Sequence, residues 1–293
     1  MEGSAKRLYR TVAVFLGIFV FLGALLMSLM IADMITERFA HIVPHYAKED
    51  ISALADKESD WTEEEINTLY RQTGLGKPAL LQMKSQTVYE NGKPVPLSAQ
   101  LKEYQDALFY EGEVVHQHVA DVSNRDIMKD SGAKVAPVMQ AGDVFVNSST
   151  HTLGFRNGHA ALVLDENGTV LESFQVGYNS ACSSRGDEWF AESSNFILLR
   201  LKAPLDIRTE IAENAYNTLR GIPYTLTVGI FSKKYQGEIP KGTQCSHLVW
   251  QAFRNAGYDI DSNGGIVVTP RDIARSPLFE VVQVYGFDPE KLW

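Results

Sequence analysis

Gly242-Thr243-Gln244-Cys245-Ser246-His247-Leu248-Val249-Trp250 is the stretch on which the reading of this chain turns. A polar approach containing a glycine leads to a cysteine, and Leu248, Val249, Ala252 and Phe253 follow at helical spacing. The pattern predicts a helix whose first turn carries the thiol. A helix N-terminus bears roughly half a positive charge. That charge favours thiolate over thiol, and the thiolate is the nucleophilic form. The competing reading is a small buried hydrophobe, as free cysteines commonly are.

The bulk of the chain narrows the choice. Its 293 residues suffice for one large domain or two small ones. A hydrophobic share of 45% with 22% charged residues excludes wholesale disorder. The net charge is -9, although the first ten residues hold Lys6, Arg7 and Arg10 against Glu2. The body is therefore strongly acidic, which sets aside nucleic-acid binding, a function that rests on neutralising phosphates with Lys and Arg. Cys182 and Cys245 are the two cysteines. They provide neither a disulfide framework nor paired metal-ligand spacing, and a bond between them would consume the thiol. Cys182 lies in a loop of small residues, 179–186, and reads as structural. No cofactor is expected.

Val12 to Ala32 contains no charged residue and is long enough to cross a hydrocarbon core of about 30 Å as a helix. The run exceeds the apolar region of a secretory signal, and Asp33-Met34-Ile35-Thr36 offers no small-x-small cleavage site. An uncleaved anchor is expected. The basic residues before it place the N-terminus in the cytoplasm and everything after Asp33 outside. The expected organisation is a cytoplasmic N-terminus over 1–10, a transmembrane anchor over 11–32, a helical stalk and accessory region over 33–137, and an α+β catalytic domain over 138–293. Within the accessory region, Thr62-Glu63-Glu64-Glu65 has the form of a capping box and Gly74 can end the helix it starts. Asn91-Gly92 signals a tight hairpin. From Val138 short β-rich runs appear at 143–146, 159–164, 169–176 and 196–201, with Asn167-Gly168 read as a two-residue turn between the second and third. An amphipathic helix over 204–219, the Cys245 helix ending near Gly257 and a strand over 279–285 complete the pattern.

A catalytic cysteine needs a base and a group to orient that base. His41 and His45 lie near the membrane segment. His116 and His118, two apart on a strand, face the same way, but no third ligand is read near them and no metal site is expected. His247, two residues after Cys245 on one helix, points elsewhere. His151, in a polar loop, stays as an alternative base. His159 starts the strand Gly158-His159-Ala160-Ala161-Leu162-Val163-Leu164, where a sheet end could present it to a helix N-terminus. Glu172 falls on the paired strand. Counted from a two-residue turn it is not directly opposite His159, and it reads either as a solvated acid or as the orienting group.

Six short pieces, in order, carry a family resemblance: Gly142-Asp143-Val144-Phe145-Val146; Gly158-His159-Ala160; Leu171-Glu172-Ser173; Gly221-Ile222-Pro223-Tyr224; Gln244 to Trp250; and Val268-Thr269-Pro270-Arg271-Asp272-Ile273. Over roughly 138–285 the chain resembles the permuted papain-like amidases of the NlpC superfamily, the YiiX-like and YycO-like cysteine hydrolases among them. The resemblance implies a small antiparallel sheet packed on the cysteine helix, with Cys245 as nucleophile, His159 as base and Glu172 as the third residue. Tyr224 is read as lining the substrate pocket, as donating to an oxyanion, or as a core tyrosine. Three functions compete: a membrane-anchored amidase on cell-envelope peptides such as peptidoglycan, a thiol hydrolase or acyltransferase on lipid or fatty-acyl amides, and a non-catalytic binding module. An apolar groove beside Cys245 would favour lipid, and a polar open one peptide. The loops 147–157, 177–194 and 225–241 would carry specificity.

Overall fold

Short apolar runs, paired antiparallel, organise the body of the chain. The computed structural model describes residues 2–36, 41–120, 123–130, 138–152, 155–183 and 186–292. The first part contains α1 (Glu2–Thr36), α2 (Ser52–Ala55), α3 (Glu63–Thr73), α4 (Lys77–Ser85), β1 (Tyr89–Glu90), β2 (Lys93–Pro94) and α5 (Leu97–Leu108). Next come β3 (Val114–Ala120), β4 (Ser123–Met128), β5 (Val144–Asn147), β6 (Thr150–Thr152), β7 (His159–Val163), β8 (Val170–Glu172) and β9 (Ala181–Ser183). The chain ends with α6 (Gly186–Ala191), β10 (Phe196–Leu201), α7 (Leu205–Thr218), α8 (Cys245–Asn255), α9 (Pro270–Ala274) and β11 (Phe279–Tyr285).

The main sheet runs β11-β10-β5-β7-β8-β9, every neighbouring pair antiparallel. On one face Val144, Val146, Ala160, Leu162 and Leu171 pack with Ile211 and Ala215 of α7 and Leu248, Val249 and Phe253 of α8. On the other, Phe145, Ala161, Val163, Val170 and Phe196 meet Leu69, Leu80 and Leu101 of α3–α5 and Phe190 of α6. Both faces are covered, so β5, β7 and β10 are buried along their whole length. The alternation expected of a half-solvated hairpin is accordingly absent from β7 and β8. A second sheet, β3-β4-β6, stands beside this one.

The segment expected as a stalk is instead a layer of the body. Gly76 donates its N–H to the Val282 carbonyl (3.0 Å), Val284 to that of Gly74 (2.8 Å) and Ile42 to that of Gly286 (2.9 Å). A Cβ on Gly76 would lie 1.8 Å from the Val281 carbonyl oxygen, so only glycine permits this approach. The region is not wholly helical either, since β3 and β4 belong to it and β4 pairs with β6. The sequence boundary at 137/138 falls at residues 131–137, outside the described residues.

The capping box at Thr62 and Glu65 is formed, and Gly74 closes α3 at φ 72°. Asn91 and Gly92 both take positive φ between Glu90 and its partner Lys93, a two-residue hairpin. Asn167-Gly168 behaves differently. Leu164 bonds Thr169, and Asp165 Oδ1 accepts from the N–H groups of Asn167 and Thr169. The turn is thus four residues, 165–168, and it displaces β8 by two positions from the register a two-residue turn would give.

Tyr9–Ser28 of α1 is long and apolar enough to cross a membrane, a property a signal sequence shares, and none of it is buried against the rest of the chain.

Candidate active site

Gln244 is extended (φ -129°, ψ 170°) and the chain turns helical at Cys245. Leu248, Val249 and Phe253 hold α8 in the core, so the first turn is fixed against β7. Cys245 is 5% exposed. Its sulfur meets the His159 ring and the backbone N–H groups of Ala160 and Ser246.

His159 opens β7 after Gly158, whose φ of 68° turns the chain into the strand. Each part of the residue is held. Its N–H donates to Asn147 Oδ1 (3.0 Å), and Nε2 lies 2.7 Å from Glu172 Oε2. Trp189 stacks on the ring at 5.6 Å and 13°, backed by Phe145, while Phe174 meets it edge-on. With Nε2 engaged by Glu172, Nδ1 is the ring nitrogen left for the thiol. Leu162 opposes Leu171 and Val163 opposes Val170, so Glu172 stands diagonal to His159 on the same face. A glutamate is long enough to span that diagonal. Ser183 Oγ donates to its other oxygen (3.2 Å).

The electrostatics follow from this packing. Burial alone would push the His159 imidazole down and the Cys245 thiol up. Hydrogen bonds and charge between the two, with the carboxylate of Glu172 on the far side of the ring, reverse both effects. His159 rises to about 9, and Cys245 is held below the ordinary thiol range, helped by the N–H groups of Ala160 and Ser246. Both shifts favour a thiolate beside an imidazolium.

Cys245 opens onto a cleft of about 300 Å³ lined by Phe155, Tyr224, Leu226, Val267, Val268 and Pro270, with Thr152, Asn157, Gln244, Ser246 and Thr269 between them. Among the described residues lining it, none is charged. Tyr224 stands in this cleft rather than in the core. Its hydroxyl is held in the protonated form by burial and by the charge of Cys245. The remaining histidines are elsewhere. His247 is buried between Thr243 Oγ1 (2.9 Å) and the Lys234 carbonyl (2.8 Å). His151 is bonded to Asp126 (2.8 Å), away from the thiol. Cys182 sits on β9 opposite Leu171, its thiol pushed up by burial, and both cysteines are free.

Asn147, Trp189 and Ser183 were not singled out in the sequence, and Gln244 was quoted in the cysteine stretch without a role of its own. Asn147 left one signal, a polar residue ending the apolar run Val144-Phe145-Val146. Trp189 left none, because it lies in a six-residue helix with no periodic pattern. Near His116 the structure brings together residues that the sequence did not connect. Asp126 and His151 stand with His116, their donor atoms all within 4.8 Å of one another, and His45, Asp288 and Glu290 form a second such group.

No family model matches the chain. It is 30% identical over 153 residues, half of its own length, to the uncharacterized protein YycO of Bacillus subtilis strain 168. The chain spans 56% of that relative. A crystal structure of the metalloprotein YiiX from Escherichia coli O157:H7 aligns over 49% of this chain and 96% of YiiX, at 15% identity and a TM-score of 0.36.

Proposed function

We propose that this chain is a membrane-tethered thiol hydrolase of permuted papain-like architecture, acting on acyl esters or amides. Cys245 is the nucleophile, His159 the proton carrier and Glu172 the residue that positions and charges His159. The observation that carries the reading is the buried chain Cys245–His159–Glu172 at the floor of an open cleft. The Cys245 thiolate attacks the carbonyl carbon, a C–S bond forms and the carbonyl electrons move onto oxygen. The backbone N–H of Cys245 at the start of α8 and the Gln244 carboxamide are the donors at hand for that oxyanion. Collapse breaks the C–O or C–N bond, and the leaving group takes the proton from His159. A water then attacks the thioester, gives its proton to His159 and releases the acid with return of the thiolate.

Cell-envelope peptide was the first expectation for the substrate, and the cleft supports an acyl chain better. Its walls are mainly apolar, and among the described residues none is charged to meet the carboxylates of a peptidoglycan stem. The helix Tyr9–Ser28, read as an uncleaved anchor with the body outside the cytoplasm, would hold the cleft near lipid. The test is turnover by full-length protein in detergent micelles of acyl esters of graded chain length and of muropeptide amides. The expected result is a kcat/KM that rises with chain length and is lost in Cys245→Ala. Turnover surviving that substitution removes the mechanism, and a preference for muropeptides removes the substrate class.

A further inference from the structure

The second sheet gathers three of the chain's seven histidines on one face. His116 on β3 opposes Asp126 on β4, His118 opposes Asn124, and Asn124 opposes His151 on β6. Residues two apart on a strand share a face, so His116, Asp126 and His151 converge, one from each strand. Asp126 is fully buried, an unusual position for a carboxylate unless it is paired or ligates a cation. Its Oδ1 lies 2.5 Å from His116 Nδ1, and its Oδ2 is 2.8 Å from His151 Nε2 and 2.6 Å from Arg156 Nη1. The two imidazoles meet edge to face with centroids 5.9 Å apart.

We propose that His116, Asp126 and His151 are the protein ligands of a divalent transition-metal ion of the Zn²⁺ class, separate from the Cys245 site. Two imidazole nitrogens and a carboxylate oxygen suit Zn²⁺ or Co²⁺ and not the all-oxygen preference of Mg²⁺ or Ca²⁺. Tetrahedral zinc with ligands at ~2.0–2.2 Å sets its donor atoms ~3.4 Å apart. His116 Nδ1 and His151 Nε2 lie 2.5 and 2.8 Å from the Asp126 oxygens and all the donor atoms lie within 4.8 Å of one another, so small rotations of the exposed His116 ring admit the ion. The metal takes Asp126 Oδ1 and leaves Oδ2 with Arg156, which becomes the outer partner that fixes the carboxylate. Exposure of His116 leaves the fourth position open to water.

The ion ties β3, β4 and β6 together. Next to His151, Thr150 Oγ1 bonds Asn147 Oδ1 (3.2 Å), the oxygen that also receives the His159 N–H. The metal therefore braces the strand beside the proton carrier. The test is calorimetric titration of untagged, full-length protein in micelles with Zn²⁺, and with Co²⁺ as a spectroscopic probe. A Cys245→Ala background keeps the thiol from ligating. One ion per chain is expected, with visible Co²⁺ bands of low coordination number and a Tm raised by Zn²⁺. His116→Gln, a change at an exposed ring, is expected to weaken binding ~10-fold or more and to abolish the Tm rise while circular dichroism is unchanged. No binding in the Cys245→Ala protein, or equal affinity after His116→Gln, overturns the proposal.

Discussion

Glu172→Gln keeps the shape of the side chain that holds His159 and removes its charge. The carboxylate is 2.7 Å from Nε2, and both residues are buried. At a charge separation of ~4 Å and an effective dielectric constant of ~20, the Coulomb attraction is about 4 kcal/mol, an upper limit for the pair. His159 stands at about 9 against an ordinary 6.5 despite its burial, and the rise is shared between Cys245 and Glu172. Glu172 supplies part of that rise, so its loss should lower the imidazole by on the order of one pH unit. The sign is fixed by the chemistry. Without the carboxylate the imidazolium is less stable, so it loses its proton at lower pH. In the wild type, turnover should fall on the acid side as the thiolate is protonated and on the alkaline side as His159 deprotonates near 9. In Glu172→Gln the alkaline limb should move to lower pH, by on the order of one unit. The assay is acyl-ester turnover against pH, read on the alkaline limb. A profile unchanged by Glu172→Gln would refute the reasoning.

Other outcomes follow from the same contacts. Cys182→Ala should leave neutral-pH labelling by a thiol-reactive probe intact and Cys245→Ala should abolish it, since burial raises the Cys182 thiol while His159 lowers that of Cys245; gel fluorescence of the labelled protein decides. Arg200→Met strips Asp143 of a guanidinium bonded at 2.8 and 2.7 Å and leaves this buried acid only the looser Arg208 (3.6 Å) and the Gln140 N–H. It should cost ~1–3 kcal/mol in urea unfolding, below the ~3–5 of a buried charge left wholly without a partner. Gly76→Ala drives a Cβ into the Val281 carbonyl and should destabilise the body by ~1–3 kcal/mol, read as a lower Tm. Trp189→Leu removes the ring stacked on His159 and should lower kcat severalfold with KM little changed; equal effects on stability alone would assign Trp189 to packing.

The strands and helices around Cys245 were legible because their signals are local. Gly158 before an apolar run marked β7, and the Leu248-Val249 spacing marked α8. Cys245, His159 and Glu172 were read as a set and they stand together, although Glu172 reaches the ring for a reason the sequence concealed. Asp165 caps a four-residue turn that Asn167-Gly168 disguises as a two-residue one, and the resulting register brings Glu172 onto the diagonal. The covering of the sheet by α3–α5 was not legible. It depends on pairs such as Gly76 with Val282, more than two hundred residues apart, and on a close backbone approach that leaves only a glycine as its trace. The three-stranded sheet was hidden for a different reason. β4 reads Ser123-Asn124-Arg125-Asp126-Ile127-Met128, a polar run whose one buried acid gives no periodic signal, so His116 and His151 looked unconnected.

The most direct measurement is capture of the acyl intermediate. Full-length protein is mixed with an acyl ester, quenched in acid within the first turnover and mapped by peptide mass spectrometry. A thioester on the Cys245 peptide, labile to hydroxylamine and absent from His159→Ala under the same conditions, is the expected result. Product formation with an unmodified Cys245, or acylation confined to Cys182, would contradict the assignment of Cys245 as the nucleophile.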